Sequence, residues 1–311
     1  MELSLSLLEQ ISAMVIVAIL GMVFIRGHML QEADSRILAK VVLYGTNPCM
    51  LFSSFQMEFS GDKAQGFLIG LIAAAVIHLV FIAMEKLIQK PLRLDAVERT
   101  SLVFTNAGYI LIPLVHATLG SEYVFYYCPF IVIQTFLIWT YLLVDMGQKN
   151  MVKVRKVLLN PNILAIILGL VTFFGQIKIP HVLDSSITLL GDATGALTML
   201  IIGMAIGMMP LKRIFSQGRA YLVASLRLLV FPGIIIAIIW ASHICVFFPV
   251  AEKVLLNSVM AAAAPVGTIV TQFSELFGLD GHKAGSINIL SVFFCIITIP
   301  MLVFVYQLVN S

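Results

Sequence analysis

The chain has 311 residues, of which 60% are apolar and only 11% charged, with 19 Lys and Arg against 16 Asp and Glu and a net charge of +3; its mean hydropathy is +1.03. Soluble domains carry about 25% charged residues, so there is too little polar surface here to wrap a water-soluble globule. That excludes a soluble enzyme and a nucleic-acid binder, and it makes the lipid bilayer the first partner of a polytopic membrane protein.

A bilayer-spanning helix needs about 20 mostly apolar residues. In chain order the apolar runs predict ten spans, at 7–25, 37–56, 64–84, 100–119, 122–145, 160–176, 186–209, 220–246, 252–276 and 284–308. None alternates with period two, which argues against a barrel and for an all-α fold. The first span opens with Glu2 and Glu9 and meets no basic residue before Arg26. It does not read as an export signal, so it is expected to be kept.

Loops after odd-numbered spans hold 14 of the 19 Lys and Arg, while the opposite side has three: Lys63 and Lys178 in loops, and Lys253 at the edge of the ninth span. Lys and Arg collect on the cytoplasmic side, so both termini are expected outside the cell membrane. The basic stretch 149–159 then divides the chain into residues 1–148 and 160–311. Each part holds five spans, and an odd number turns the second half upside down relative to the first. Inverted repeats of this kind are a common transporter plan.

Cys49, Cys128, Cys245 and Cys295 all lie inside apolar runs without a Cys-x-x-Cys pair. They read as small buried hydrophobes, and no disulfide, metal or cofactor is expected.

Proline inside a helix removes a donor and clashes with the carbonyl four residues back. In lipid the freed backbone groups are tolerated only against protein or a wet cavity. Interrupted helices at matching places in two halves therefore point to a transport site. Span four carries Thr105, Asn106, Gly108 and Pro113; span nine carries four alanines running into Pro265, then Gly267 and Thr268. Breaks there would leave half-helix N-termini with unpaired N–H groups and partial positive charge, which suits an anion. Asn47 before Pro48 in span two, and Gln134 in span five, are further candidates for substrate contact; the competing reading is helix–helix glue. Arg227 in span eight is an intramembrane charge and so a functional candidate, against snorkelling or structural pairing.

The stretch Thr105-Asn106-Ala107-Gly108, followed by Pro113-Leu114 and Leu119-Gly120, resembles the fourth helix of the auxin efflux carrier family. Ala264-Pro265, Phe277-Gly278-Leu279-Asp280, Ala284-Gly285-Ser286, Ser291 and Thr298-Ile299-Pro300 resemble its last two spans, and Gln134, Trp139, Arg227 and Pro232 fit between them. The likeness runs through the whole chain in order. It implies ten helices in two inverted repeats, with helices four and nine crossing at the membrane centre. It also implies an elevator-like cycle of a moving bundle against a scaffold, with a homodimer open as the assembly. The family carries organic anions, and without the long central loop of the plant members this chain is closer to compact bacterial malate- or malonate-type permeases. A secondary transporter for carboxylates is the expectation, with H+ or Na+ coupling left open. An intramembrane enzyme, a receptor and a channel are the alternatives; no nucleophile–base pair or metal-ligand motif supports the enzyme.

Overall fold

The computed structural model describes residues 2–243 and 249–310. Cys245 and the end of the eighth expected span lie outside the described residues. In chain order the principal helices are α1 (Glu2–Arg26), α2 (32–53), α3 (Gly61–Ile88), α4 (Ala96–Val103), α5 (Ala107–Leu119), α6 (Ser121–Asp145), α7 (Pro161–Gly175), α8 (His181–Met208), α9 (Gly218–Ser242), α10 (Pro249–Ala263), α11 (Thr268–Leu276) and α12 (Gly281–Asn310). Six of them, α1, α3, α6, α8, α9 and α12, are long and apolar enough to cross a membrane. Their outward faces expose Ile16, Leu68, Leu79, Leu189 and Ile297, a surface matched to hydrocarbon rather than to water.

Prolines shape the long helices in one recurring way. Each of three prolines sits just after a five-residue π turn: Pro48 after Val42–Thr46, Pro113 after Ala107–Leu111 and Pro232 after Leu226–Val230. The carbonyl that each proline ring would strike belongs to the residue four back. Those residues are Tyr44, Tyr109 and Leu228, the middle residue of each turn. A π turn widens the helix where the clash would fall and lets it continue.

Glycines set the closest packing. A Cβ on Gly203 would overlap the Ala18 carbonyl oxygen, and one on Gly21 would overlap that of Leu200, so α1 and α8 touch backbone to backbone. On the other side of the molecule α3 closes on α6, where a Cβ at Gly70 would lie 3.0 Å from Pro129. Helix α2 packs on both α7 and α8, and α8 packs on α1, while α3, α6, α9, α10 and α12 form a second group.

The short helix α4 is pinned at its start. Asp95 and Glu98 form a reciprocal capping box. Arg219 of α9 donates to Glu98 at 2.8 Å, and Lys283 of α12 pairs with Asp95. Nearby, Arg99 meets Asp145 at 3.1 Å and Lys86 meets Glu85 at 3.2 Å. The basic loop residues are thus partly spent on tying α4 to both parts of the chain.

Candidate functional site

Helix α4 stops at Val103 because Phe104 turns to an extended conformation, φ −95° and ψ 128°. Helix α10 stops at Ala263, and Gly267 is likewise extended at φ −66° and ψ 130° before α11 begins. Proline at 265 cannot donate to the turn before it, and the two extended stretches solve the resulting deficit together. Thr105 and Val266 form an isolated antiparallel bridge. The Asn106 N–H donates to the Pro265 carbonyl at 2.8 Å, and the Gly267 N–H donates to the Phe104 carbonyl at 2.9 Å. A Cβ on Gly267 would stand 2.9 Å from the Thr105 carbonyl oxygen, closer than side chains normally allow, so glycine at 267 is what lets the chains meet.

The outer edges of this bridge are closed by side chains. The Thr105 N–H and hydroxyl donate to the Gln134 carboxamide oxygen at 3.2 and 2.8 Å, and the Gln134 nitrogen donates to the Thr105 carbonyl at 3.0 Å. In the other half the Val266 N–H donates to the Ser291 hydroxyl at 2.9 Å, and Asn288 donates to the Val266 carbonyl at 2.6 Å. Helix α6 therefore serves α4 and α5 as α12 serves α10 and α11. Every backbone group of the two bridged residues has a partner, as both residues are buried in the protein interior.

The two half-helices that leave the crossing, α5 and α11, start without a side-chain cap. The first N–H groups of a helix have no partner within it, and they concentrate positive potential. Beside them the Asn106 side-chain nitrogen is buried with no hydrogen-bond partner, as are the Thr46 hydroxyl and the Asn47 carboxamide oxygen. Asn47 donates to Asn162 at 3.4 Å, and a Cβ on Gly108 would lie 3.9 Å from the Asn47 nitrogen. Asn47 is thus a neighbour of Gly108 at the start of α5, and Asn106 immediately precedes that helix.

The remaining sequence candidates fall elsewhere. Thr268 opens α11 and is partly exposed. Pro48 opens the second part of α2. Pro113 packs on α8, 3.3 Å from where a Cβ of Gly195 would be, and lines a cavity of about 250 Å³ with Gln10, Met50, His116 and Asp192. Gln134 and the Thr105 hydroxyl are committed to each other. Arg227 is fully buried in the π turn of α9. Its Nη1 donates to the Ala262 carbonyl at 2.7 Å, near the end of α10, and its guanidinium lies 4.9 Å from the centre of the Phe81 ring.

Asn288 at the crossing and Asn162, the partner of Asn47, are not among the sequence candidates, and Ser291 is there only through the family likeness. The available signal was polarity inside an apolar run: Asn288 and Ser291 are three apart, on one face of a helix.

A family model described as membrane transport protein matches residues 6–153 and again residues 147–303. No curated protein matches the chain.

Proposed function

The chain belongs to the membrane transport protein family, that of the auxin efflux carriers, and from this premise we propose that it is a secondary transporter carrying small organic anions such as carboxylates by alternating access. The observation that carries the reading is the crossing itself. Two uncapped helix starts, α5 and α11, leave it in opposite directions, and the buried Asn106 amide beside them has donors to give. Preformed N–H groups and a neutral amide suit a carboxylate, because they stabilise negative charge without adding a competing one.

In this reading Asn106, Gly108 and Asn47 hold the anion on the α5 side, and Gly267 and Thr268 hold it on the α11 side. Gly108 keeps the backbone accessible, and Gly267 lets the two extended stretches meet. Thr105, Pro265 and Gln134 fix the crossing, Pro48 and Pro113 bend the walls, and Arg227 contributes positive potential. The α4–α5 and α10–α11 pairs are the corresponding broken helices of two inverted five-helix repeats. The group of α1, α2, α7 and α8 is the scaffold, and the helices around the crossing move against it as an elevator.

The test is flux in proteoliposomes of the purified protein, screened with labelled mono- and dicarboxylates with and without sodium and across pH. Saturable uptake with counterflow supports a carrier. Chemically altered substrate, or flux that does not saturate, would move the reading to an enzyme or a channel.

A further inference from the structure

Among the described residues, three acidic or strongly basic side chains are buried: Glu85, Glu98 and Arg227. Glu85 is met by Lys86 at 3.2 Å and by Arg99 at 3.6 Å, and Glu98 is met by Arg219 at 2.8 Å. Arg227 has no carboxylate partner in any ion pair of the described residues. One of its nitrogens caps the Ala262 carbonyl, and Nε and Nη2 have no hydrogen-bond partner.

A guanidinium keeps its proton inside proteins, so this is one full positive charge left over in the interior. Burying a charge without an opposite one is costly. The Ala262 carbonyl and the Phe81 ring offset part of that cost, as the negative end of a helix and the face of an aromatic ring do. Neither removes the charge. Ala262 lies near the end of α10, four positions before the bridged Val266. The charge is therefore attached to the helix end that leads into the crossing, on the same group of helices that, on the reading above, carries the anion.

We infer that Arg227 is a resident counter-charge that travels with the substrate, cancelling one negative charge of the bound anion. This rests on the carrier reading and on α9 and α10 belonging to the moving group. A bundle loaded with a monoanion then crosses the membrane with no net charge, and the empty bundle returns as a cation. Membrane potential acts on the return of the empty carrier. It does not act on the loaded step unless the substrate carries more than one charge.

Two kinds of flux separate the steps. Exchange of labelled for unlabelled substrate uses only the loaded bundle, whereas net efflux also needs the empty one. The experiment uses proteoliposomes clamped by valinomycin and potassium gradients, with lactate as monoanion and malonate as dianion, corrected with protein-free liposomes. Wild-type lactate exchange is expected to change less than twofold with potential while net lactate efflux follows it. Malonate exchange is expected to follow the potential as a single charge. Arg227→Lys keeps lactate exchange insensitive, and Arg227→Gln makes it follow the potential. Lactate exchange as steep as net efflux in the wild type would overturn the inference, and so would an Arg227→Gln protein whose exchange stays insensitive. Because Arg227 also caps Ala262, the Gln variant can fail to fold, and the wild-type and Lys measurements then decide. If neither anion moves at any potential, the anion-carrier reading itself has failed, which is a different result from voltage-steered exchange.

Discussion

Gln134 grips the backbone of Thr105 from the neighbouring helix, accepting from its N–H and donating to its carbonyl at 3.2 and 3.0 Å. The side chain replaces the missing strand on one edge of the crossing. Each buried backbone group left without a partner costs about 1–3 kcal/mol. Gln134→Ala is therefore expected to destabilise the protein by about 3 kcal/mol, read as a lower unfolding midpoint in detergent. Gln134→Glu keeps the size but sets a carboxylate oxygen against the Thr105 carbonyl, and it should be at least as damaging.

The same logic applies to the second edge, where Ser291 and Asn288 divide the task that Gln134 performs alone. Ser291→Ala and Asn288→Ala should each destabilise by about 1–2 kcal/mol. Both residues serve Val266, so a double-mutant cycle should show coupling of about 0.5 kcal/mol or more. Strict additivity would mean that the Val266 backbone does not bind the two into one unit.

This second edge also marks where sequence reading stops. Pro265 and the small residues near it show that α10–α11 must break, because proline and glycine act through local backbone rules, whereas Pro113 lies inside α5, carried by its π turn, and the α4–α5 break falls earlier, at Phe104. The apolar runs likewise give the long helices, since span length is set by bilayer thickness. The partners of the broken backbone are long-range: Gln134 lies 29 residues from Thr105 and Ser291 lies 25 from Val266. No local pattern distinguishes a polar residue that braces backbone from one that meets substrate. Arg227 illustrates the limit, since the sequence shows a charge inside a span but not that its acceptor is the Ala262 carbonyl.

Gly267 tests the close approach directly. Its Cβ would stand 2.9 Å from the Thr105 carbonyl oxygen, a backbone atom that cannot swing aside. Gly267→Ala should cost about 1–3 kcal/mol, as overpacking does, and should lower flux by parting the two helix starts. Gly233 in α9 has open space around its Cβ position, so Gly233→Ala serves as a control and should be neutral or stabilising by up to about 1 kcal/mol.

Asp95 at the start of α4 gives a pH signature. Burial pushes its carboxyl up, but the Lys283 ammonium and the N–H groups of Glu98 and Val97 pull harder, so the balance lies below the ordinary value. A depressed carboxyl stabilises the fold fully above the unfolded-state value, and the contribution fades as pH falls through the folded one. The wild-type unfolding midpoint should therefore drop as pH falls below about 4. Asp95→Asn keeps a helix cap but no charge. It should start lower at neutral pH and lose less on acidification, and identical pH profiles for the two proteins would remove the Lys283 pair from the account.

Asn106 separates binding from architecture. Its backbone N–H holds the Pro265 carbonyl at 2.8 Å, and that bond survives any substitution that keeps an ordinary amide. Its side-chain nitrogen has no partner, so truncation removes no bond from the resting fold. Asn106→Ala should therefore unfold at nearly the wild-type temperature. A hydrogen bond to a charged group is worth about 1.5–3 kcal/mol, so the same variant should lose roughly tenfold to a hundredfold in anion affinity by the rule of 1.4 kcal/mol per factor of ten. Asn106→Asp adds a like charge at the same spot and should abolish flux, while Asn106→Ser, which keeps a donor, should retain part of it. Wild-type flux in the alanine variant would place the anion away from the start of α5. A large loss of stability would instead show that the amide braces the fold and leave the site to the backbone N–H groups alone.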